Sequence, residues 1–123
     1  MIPIFRAKHH RDNIYFIGSL IGKDDEYYII EDEDMEYYRP IDPTTLAIHF
    51  PNMLDSQGNK IFASLSKDGK GGDMTNKGIC LYEPKYNQFR IIVNLETRTW
   101  LEITREDLES YPIKVIGIQE WKS

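Results

Sequence analysis

Short runs of β-branched and aromatic residues recur along this chain, each closed by a cluster of Gly, Pro, Asn or Asp. Residues 4–8, 13–20, 26–30, 35–39, 46–50, 78–83, 88–95, 99–103 and 113–118 read this way. Turn signals every 8–12 residues or so, without helices alternating between the runs, point to a barrel or sandwich rather than a parallel α/β sheet. The expectation is a mainly β single domain over 1–123, built from antiparallel hairpins.

The joints sharpen that picture. The polar residues His9 to Asn13 join the first two runs as a hairpin, and Gly22 to Asp25 turn the second into the third. Residues 31–34 form an acidic tip, across which the tyrosine pairs 27–28 and 37–38 face each other. Pro84 to Asn87 make a four-residue loop between the 78–83 and 88–95 runs. Pro40, Pro43 and Pro51 crowd the 46–50 run, which argues for a sheet edge. One short helix is predicted near Thr104 to Tyr111, with Thr104 as N-cap, Glu106 and Asp107 in its first turn, and Pro112 as its stop. Gly117 marks a bulge or a close backbone approach in the last strand.

With 123 residues, 41% of them apolar, the chain is long enough to bury a core as one domain. That core is expected at Phe5, Ile14, Phe16, Ile30, Ile48, Leu81, Phe89, Ile91, Val93, Ile116 and Ile118. Net charge is −5, which weighs against a general nucleic-acid binder without excluding a local basic face. No apolar run reaches the roughly 18 residues of a membrane span, and the amino terminus turns charged at Arg6, so a cytosolic, non-membrane protein is expected. The single cysteine, Cys80, excludes an intrachain disulfide and reads as a buried thiol.

The least ordinary segment is the polar tract from Phe50 to Thr75. Ordinary loops are shorter, and long ones are functional or disordered. Its Ser64 to Gly72 portion is poor in apolar residues and is expected to protrude as a mobile loop. Asp68-Gly69-Lys70-Gly71-Gly72-Asp73 has the glycines and lysine of a phosphate cradle, yet no Ser or Thr follows the lysine and no helix follows the loop. The carboxylates at 31–34, with Glu36, lack the spacing of a calcium loop. Adjacent His9 and His10 point to opposite strand faces, so they do not share one metal. Nothing local supports a nucleophilic pairing of Cys80 with His49. No metal, cofactor or catalytic group is therefore assigned. Candidate binding residues are Lys60, Lys67, Lys70 and Lys77 with Tyr82 and Tyr86, since lysines among aromatics on a small barrel can hold single-stranded nucleic acid; Asp55, Asp68 and Asp73 offset their charge.

Four phrases together resemble the YopX-like family of bacteriophage and prophage proteins. They are the opening IFRAKHHRDNIYF, the central FPNMLDSQGNKIF, the Gly72-Asp73-Met74 step and the closing Val115-Ile116-Gly117-Ile118. They occur in the family's order and span most of the chain; the stretch Ala63 to Gly71 is an insertion relative to the family pattern. The resemblance implies an SH3-like barrel core, a phage origin and a host-cytoplasm setting, and it implies no biochemical activity. The functional expectation is a non-catalytic accessory protein that binds a host or phage protein, a second copy of the chain being one candidate. The alternative is a nucleic-acid-binding barrel using the lysine-bearing 60–77 tract and Arg90.

Overall fold

The computed structural model describes residues 3–31, 38–94, 96–97, 99–103 and 113–119. The strands are β1 (Ile4–Lys8), β2 (Tyr15–Lys23), β3 (Glu26–Ile30), β4 (Arg39–Pro40), β5 (Ala47–His49), β6 (Ala63–Ser64), β7 (Asp73–Thr75), β8 (Gly78–Glu83), β9 (Gln88–Asn94), β10 (Thr99–Ile103) and β11 (Val115–Ile118), with a 3₁₀ turn at Pro43–Thr45. They form one 11-stranded sheet in the order β10-β9-β8-β6-β5-β1-β2-β3-β4, with β7 pairing β8 and β11. The two ends of that order, β10 and β4, do not pair among the described residues. The fold is mainly β.

Three expected hairpins form, each for a local reason. In the first turn the His9 ring Nδ1 accepts from the Arg11 and Asp12 amides at 3.2 and 3.1 Å. Asp24 and Asp25 both adopt positive φ (53° and 63°), as a two-residue hairpin turn demands, and join β2 to β3. Asn87, at φ 50°, closes the β8–β9 loop. The register of β11 against β7 shifts between Val115 and Gly117, which is the bulge expected there. The Tyr28 and Tyr38 rings meet at 6.0 Å. The 32–34 carboxylates, Tyr37 and the helix expected at 104–111 lie outside the described residues.

Strand β5 is not an edge. It pairs β1 on one side and β6 on the other, and all three of its residues are buried. The prolines flank it instead of interrupting it: Pro43 opens the 3₁₀ turn and Pro51 the turn after the strand, so the ladder N–H groups of 47–49 survive.

Two apolar clusters hold the sheet. One gathers Met53, Ile61, Ala63, Cys80, Ile91 and Ile113, with Phe50, Tyr82, Phe89 and Val115 packed on it. The other gathers Ala7, Ile29 and Ile41, with Phe5, Phe16, Leu20 and Leu46 against it. The expected core is only partly met. Ile48 and Ile91 are buried, whereas Ile14, Val93 and Ile116 are exposed. At the adjacent isoleucines 29 and 30 it is Ile29 that faces fully inward, the one-residue phase that alternation leaves open.

The larger correction concerns the polar tract, which supplies core instead of protruding. Met53, Ile61, Phe62, Ala63 and Ser64 are buried, as are Gly69, Gly71, Gly72 and Asp73; only Lys67 and Asp68 are exposed at the tip of the 64–72 segment. Polar groups replace the missing apolar contacts there. Ser64 Oγ donates to Lys70 O at 2.7 Å, Ser66 Oγ to Thr44 O at 2.7 Å, and the Leu65 amide to Leu46 O. Gly69 packs so near Ile79 that an added Cβ would sit 2.7 Å from Ile79 Cγ2. The segment therefore covers Ile79 on β8, whose register partner Ile92 is buried on that face, while Ile91 is buried in the core cluster with Cys80 on the other.

Candidate interaction surface

The candidate binding lysines fall on separate turns. Lys60 is exposed and bridges Leu54. Lys67 is exposed beyond β6, and Lys77 lies in the turn between β7 and β8. Lys70 is turned onto the protein itself, with Nζ 3.2 Å from Thr44 Oγ1 and 3.8 Å from Asp42 Oδ2. The cradle-like amides are also engaged internally: Gly69 donates to Ser66 O, Lys70 to Asp68 Oδ1, Gly71 to Gln119 O and Gly72 to Gly69 O. They do not converge on an anion.

The two candidate tyrosines part company. Tyr82 faces inward, its ring 5.4 Å from Phe50 and 5.0 Å from Phe89, and its hydroxyl donates to Asn87 Oδ1. Tyr86, in the β8–β9 loop, is 58% exposed. The Arg90 guanidinium carbon lies 5.5 Å from the centre of the Tyr86 ring and 4.0 Å from that of Trp100, while Lys85 Nζ lies 5.5 Å from the Tyr86 centre.

This stack follows from strand geometry. Arg90 and Ile92 share a face of β9, and Trp100 on β10 sits opposite Ile92, so Trp100 is a diagonal neighbour of Arg90. Gln88, two residues before Arg90 on the same face, accepts from Arg90 Nε and one terminal nitrogen at 3.3 and 2.9 Å, which fixes the plane of the guanidinium. Trp100 remains 43% exposed at the end of the strand order. An exposed cation–π contact contributes about 0.5–1 kcal/mol, a modest bias toward this arrangement. Sequence reading singled out Tyr86 and Arg90 but not Trp100, because the pairing of β10 with β9 brings it there.

A second polar constellation is buried. Arg6 donates to Asp73 Oδ1 and to Gly71 O, both at 2.8 Å, and its guanidinium lies 4.6 Å from the centre of the Phe62 ring. Asp73 Oδ2 accepts from the Phe62 amide at 2.8 Å. Burial pushes the Asp73 carboxyl up, and Arg6 and the Phe62 amide oppose it. His49 lies beside Phe62, its Nδ1 3.0 Å from Ile61 O, and burial holds its imidazole below the ordinary value. Burial also pushes the Cys80 thiol up to about 12, the reverse of what a nucleophile needs. These contacts join β1, β5, β7, residues 61–62 and the glycine segment. Among the described residues no group of three or more His, Cys, Asp or Glu is placed to hold a metal ion, and no helix is long and apolar enough to cross a membrane.

Comparison with family models, with curated proteins and with solved structures finds no match to this chain.

Proposed function

We propose that this chain is a phage-encoded accessory protein of SH3-like β architecture that acts without catalysis, by binding a host or phage protein in the host cytoplasm. The phage assignment rests on the four ordered phrases that resemble the YopX-like family. The interaction reading rests on the exposed Tyr86–Arg90–Trp100 stack. Tyr, Arg and Trp are the residue types that dominate binding energy at protein interfaces, and here they come together from the β8–β9 loop, β9 and the end strand β10.

The same stack favours one other reading. Aromatic rings beside Arg90 and Lys85 suit a single-stranded nucleic acid, whose bases stack while its phosphates meet the cations. In this reading Lys60, Lys67 and Lys77 contribute positive charge from separate turns.

The test compares the natural chain with a Tyr86→Ala/Arg90→Ala/Trp100→Ala variant whose fold is checked by circular dichroism. Affinity capture from infected cells should recover a specific protein with the natural chain and lose it with the folded variant; equal recovery overturns the reading. Sedimentation at several concentrations shows whether the partner is a second copy. Micromolar binding to single-stranded DNA that falls steeply with salt would replace the protein reading with the nucleic-acid one.

A further inference from the structure

The turn between β1 and β2 is capped by a group that can lose its capping power. His9 Nδ1 accepts from the Arg11 amide at 3.2 Å and from the Asp12 amide at 3.1 Å. Asparagine and aspartate cap turns in this way through Oδ1, which lies as many bonds from Cα as the histidine Nδ1 does. An amide oxygen accepts throughout the neutral range. A ring nitrogen accepts only while it is bare, so two donors aimed at Nδ1 require a neutral imidazole with its proton on Nε2.

The capped turn is tied into the sheet. His9 N donates to Ile14 O at 2.7 Å and closes the hairpin, and His9 also bridges Ile41. His10 N donates to Pro40 O at 3.3 Å. His10 lines a cavity of about 230 Å³ whose wall includes Tyr27, Pro40 and Ile41. Residues 10–14 are all exposed, so burial contributes little to holding the turn shut.

One carboxylate stands ready to take over the ring nitrogen. Asp12 Oδ2 lies 3.5 Å from His9 Nδ1. The His10 ring, 4.5 Å away between centres, is a second titratable group. On β2 the imidazole meets the Phe16 ring at 5.9 Å, and the Arg39 guanidinium of β4 lies 5.6 Å from the centre of that same ring. Lys8 precedes His9 on β1, and its carbonyl accepts from the Asp42 amide at 2.9 Å. The Asp42 carboxylate is engaged by Thr44 N and Oγ1, with Lys70 Nζ at 3.8 Å. Asp25 and Glu26 line the same cavity as His10.

We infer that the β1–β2 turn is a proton-controlled element, closed by neutral His9 and opened when His9 is charged. A proton from solvent adds to the Nδ1 lone pair, and the imidazolium then donates from Nδ1 to the Asp12 carboxylate. The Arg11 and Asp12 amides lose their acceptor and turn to water, beside the 40–41 segment. Loss of the proton restores the cap. This goes beyond the interaction reading and does not depend on it.

The ring itself gives the first test. In the isotope-labelled full chain at about pH 8, His9 Nδ1 should show the nitrogen shift of a bare lone pair and Nε2 that of a protonated nitrogen; the reverse tautomer overturns the inference. As pH is lowered to about 5, the Arg11 and Asp12 amide shifts should move with the same midpoint as Nδ1. In His9→Asn, where Oδ1 keeps the cap and does not titrate, they should stay still, whereas His10→Gln should leave the movement intact. Asp12→Asn removes the carboxylate that receives the ring proton and should shift the midpoint down. Opening is read by amide exchange at about pH 5.5: Arg11 and Asp12 should exchange at least about tenfold faster in the natural chain than in His9→Asn. Unmoved amides, equal movement in His9→Asn, loss of movement in His10→Gln, an unshifted midpoint in Asp12→Asn, or equal exchange rates would each overturn it.

Discussion

Arg6 on the first strand and Asp73 on the seventh form a buried ion pair at 2.8 Å, and the same guanidinium reaches Gly71 O, 65 residues along the chain. One side chain thus fastens the glycine-rich segment to the sheet. Removing either partner alone leaves the other charge buried and unpaired, at a cost of about 3–5 kcal/mol. Arg6→Ala and Asp73→Ala are each expected to lower stability by that order in urea unfolding. The double variant should lose less than the sum, and additive losses would show that the pair is not coupled.

Gly71 and Gly58 share a backbone conformation (φ 81° and 82°) but not an environment. A Cβ at Gly71 would lie 2.0 Å from Thr45 O, whereas one at Gly58 would meet nothing within 4 Å. Gly58→Ala should therefore cost about 1–2 kcal/mol, the left-handed backbone penalty alone. Gly71→Ala adds a backbone collision and should cost clearly more. Thermal melts of the two variants decide it; equal losses would mean that the 69–72 segment does not pack on the 3₁₀ turn.

Hydrogen exchange gives a residue-level check on the same segment. The amides of Gly71, Gly72 and Asp73 donate to Gln119 O, Gly69 O and Phe62 O and should exchange as slowly as those of β8 and β9. The exposed tip at Lys67 and Asp68 should exchange faster. Fast exchange throughout 66–73 would restore the picture of a mobile loop.

Acid should remove the contributions of His49 and Asp55 in two stages, while Asp73, whose carboxyl burial pushes up, acts in the opposite direction. Burial lowers the His49 pKa, so the unfolded chain binds this proton more readily; the stability His49 contributes is present above about pH 6.5 and is lost as pH falls below it. Partial burial pushes the Asp55 carboxyl up, but hydrogen bonds from Val115, Asn59 and Gln57 outweigh it and the net direction is down. Its contribution is present above about pH 4 and is lost as pH falls through its lowered folded value. Melting temperatures of the natural chain should therefore fall more between pH 7.5 and 5.5 than those of His49→Gln, and an identical fall would remove His49 from the account.

Asp55 has a larger structural role than its place in a polar turn announces. Its two oxygens accept from Gln57 N, Asn59 N, Asn59 Nδ2 and Val115 N at 2.8–3.1 Å, tying the central turn to β11. Asp55→Asn puts a donor where an acceptor is needed and should cost about 1–3 kcal/mol. A loss below about 0.5 kcal/mol in urea unfolding would count against the tie.

The local content of this fold is written in the sequence. Alternating β-branched and aromatic runs, with Asp24-Asp25 and Pro84 to Asn87 between them, determine a mainly β chain and its hairpins, because turn chemistry and period-two alternation act over a few residues. Tyr86 and Arg90 are legible as candidate surface residues for the same reason. What local signals cannot carry is which elements meet. Trp100 joins Arg90 only through the β9–β10 register, and the cavity beside Tyr27 exists only because the 40–43 segment returns to the β2–β3 turn. The 64–72 segment reads as loop because its apolar content is low. It is ordered instead by Arg6, Thr44 and Gln119, distant groups that satisfy its polar atoms, and by glycines that let its backbone lie against Thr45 and Ile79. Burial by hydrogen bonding leaves little trace in composition, so tertiary structure alone decided that most of this glycine-rich, apolar-poor segment packs against the sheet.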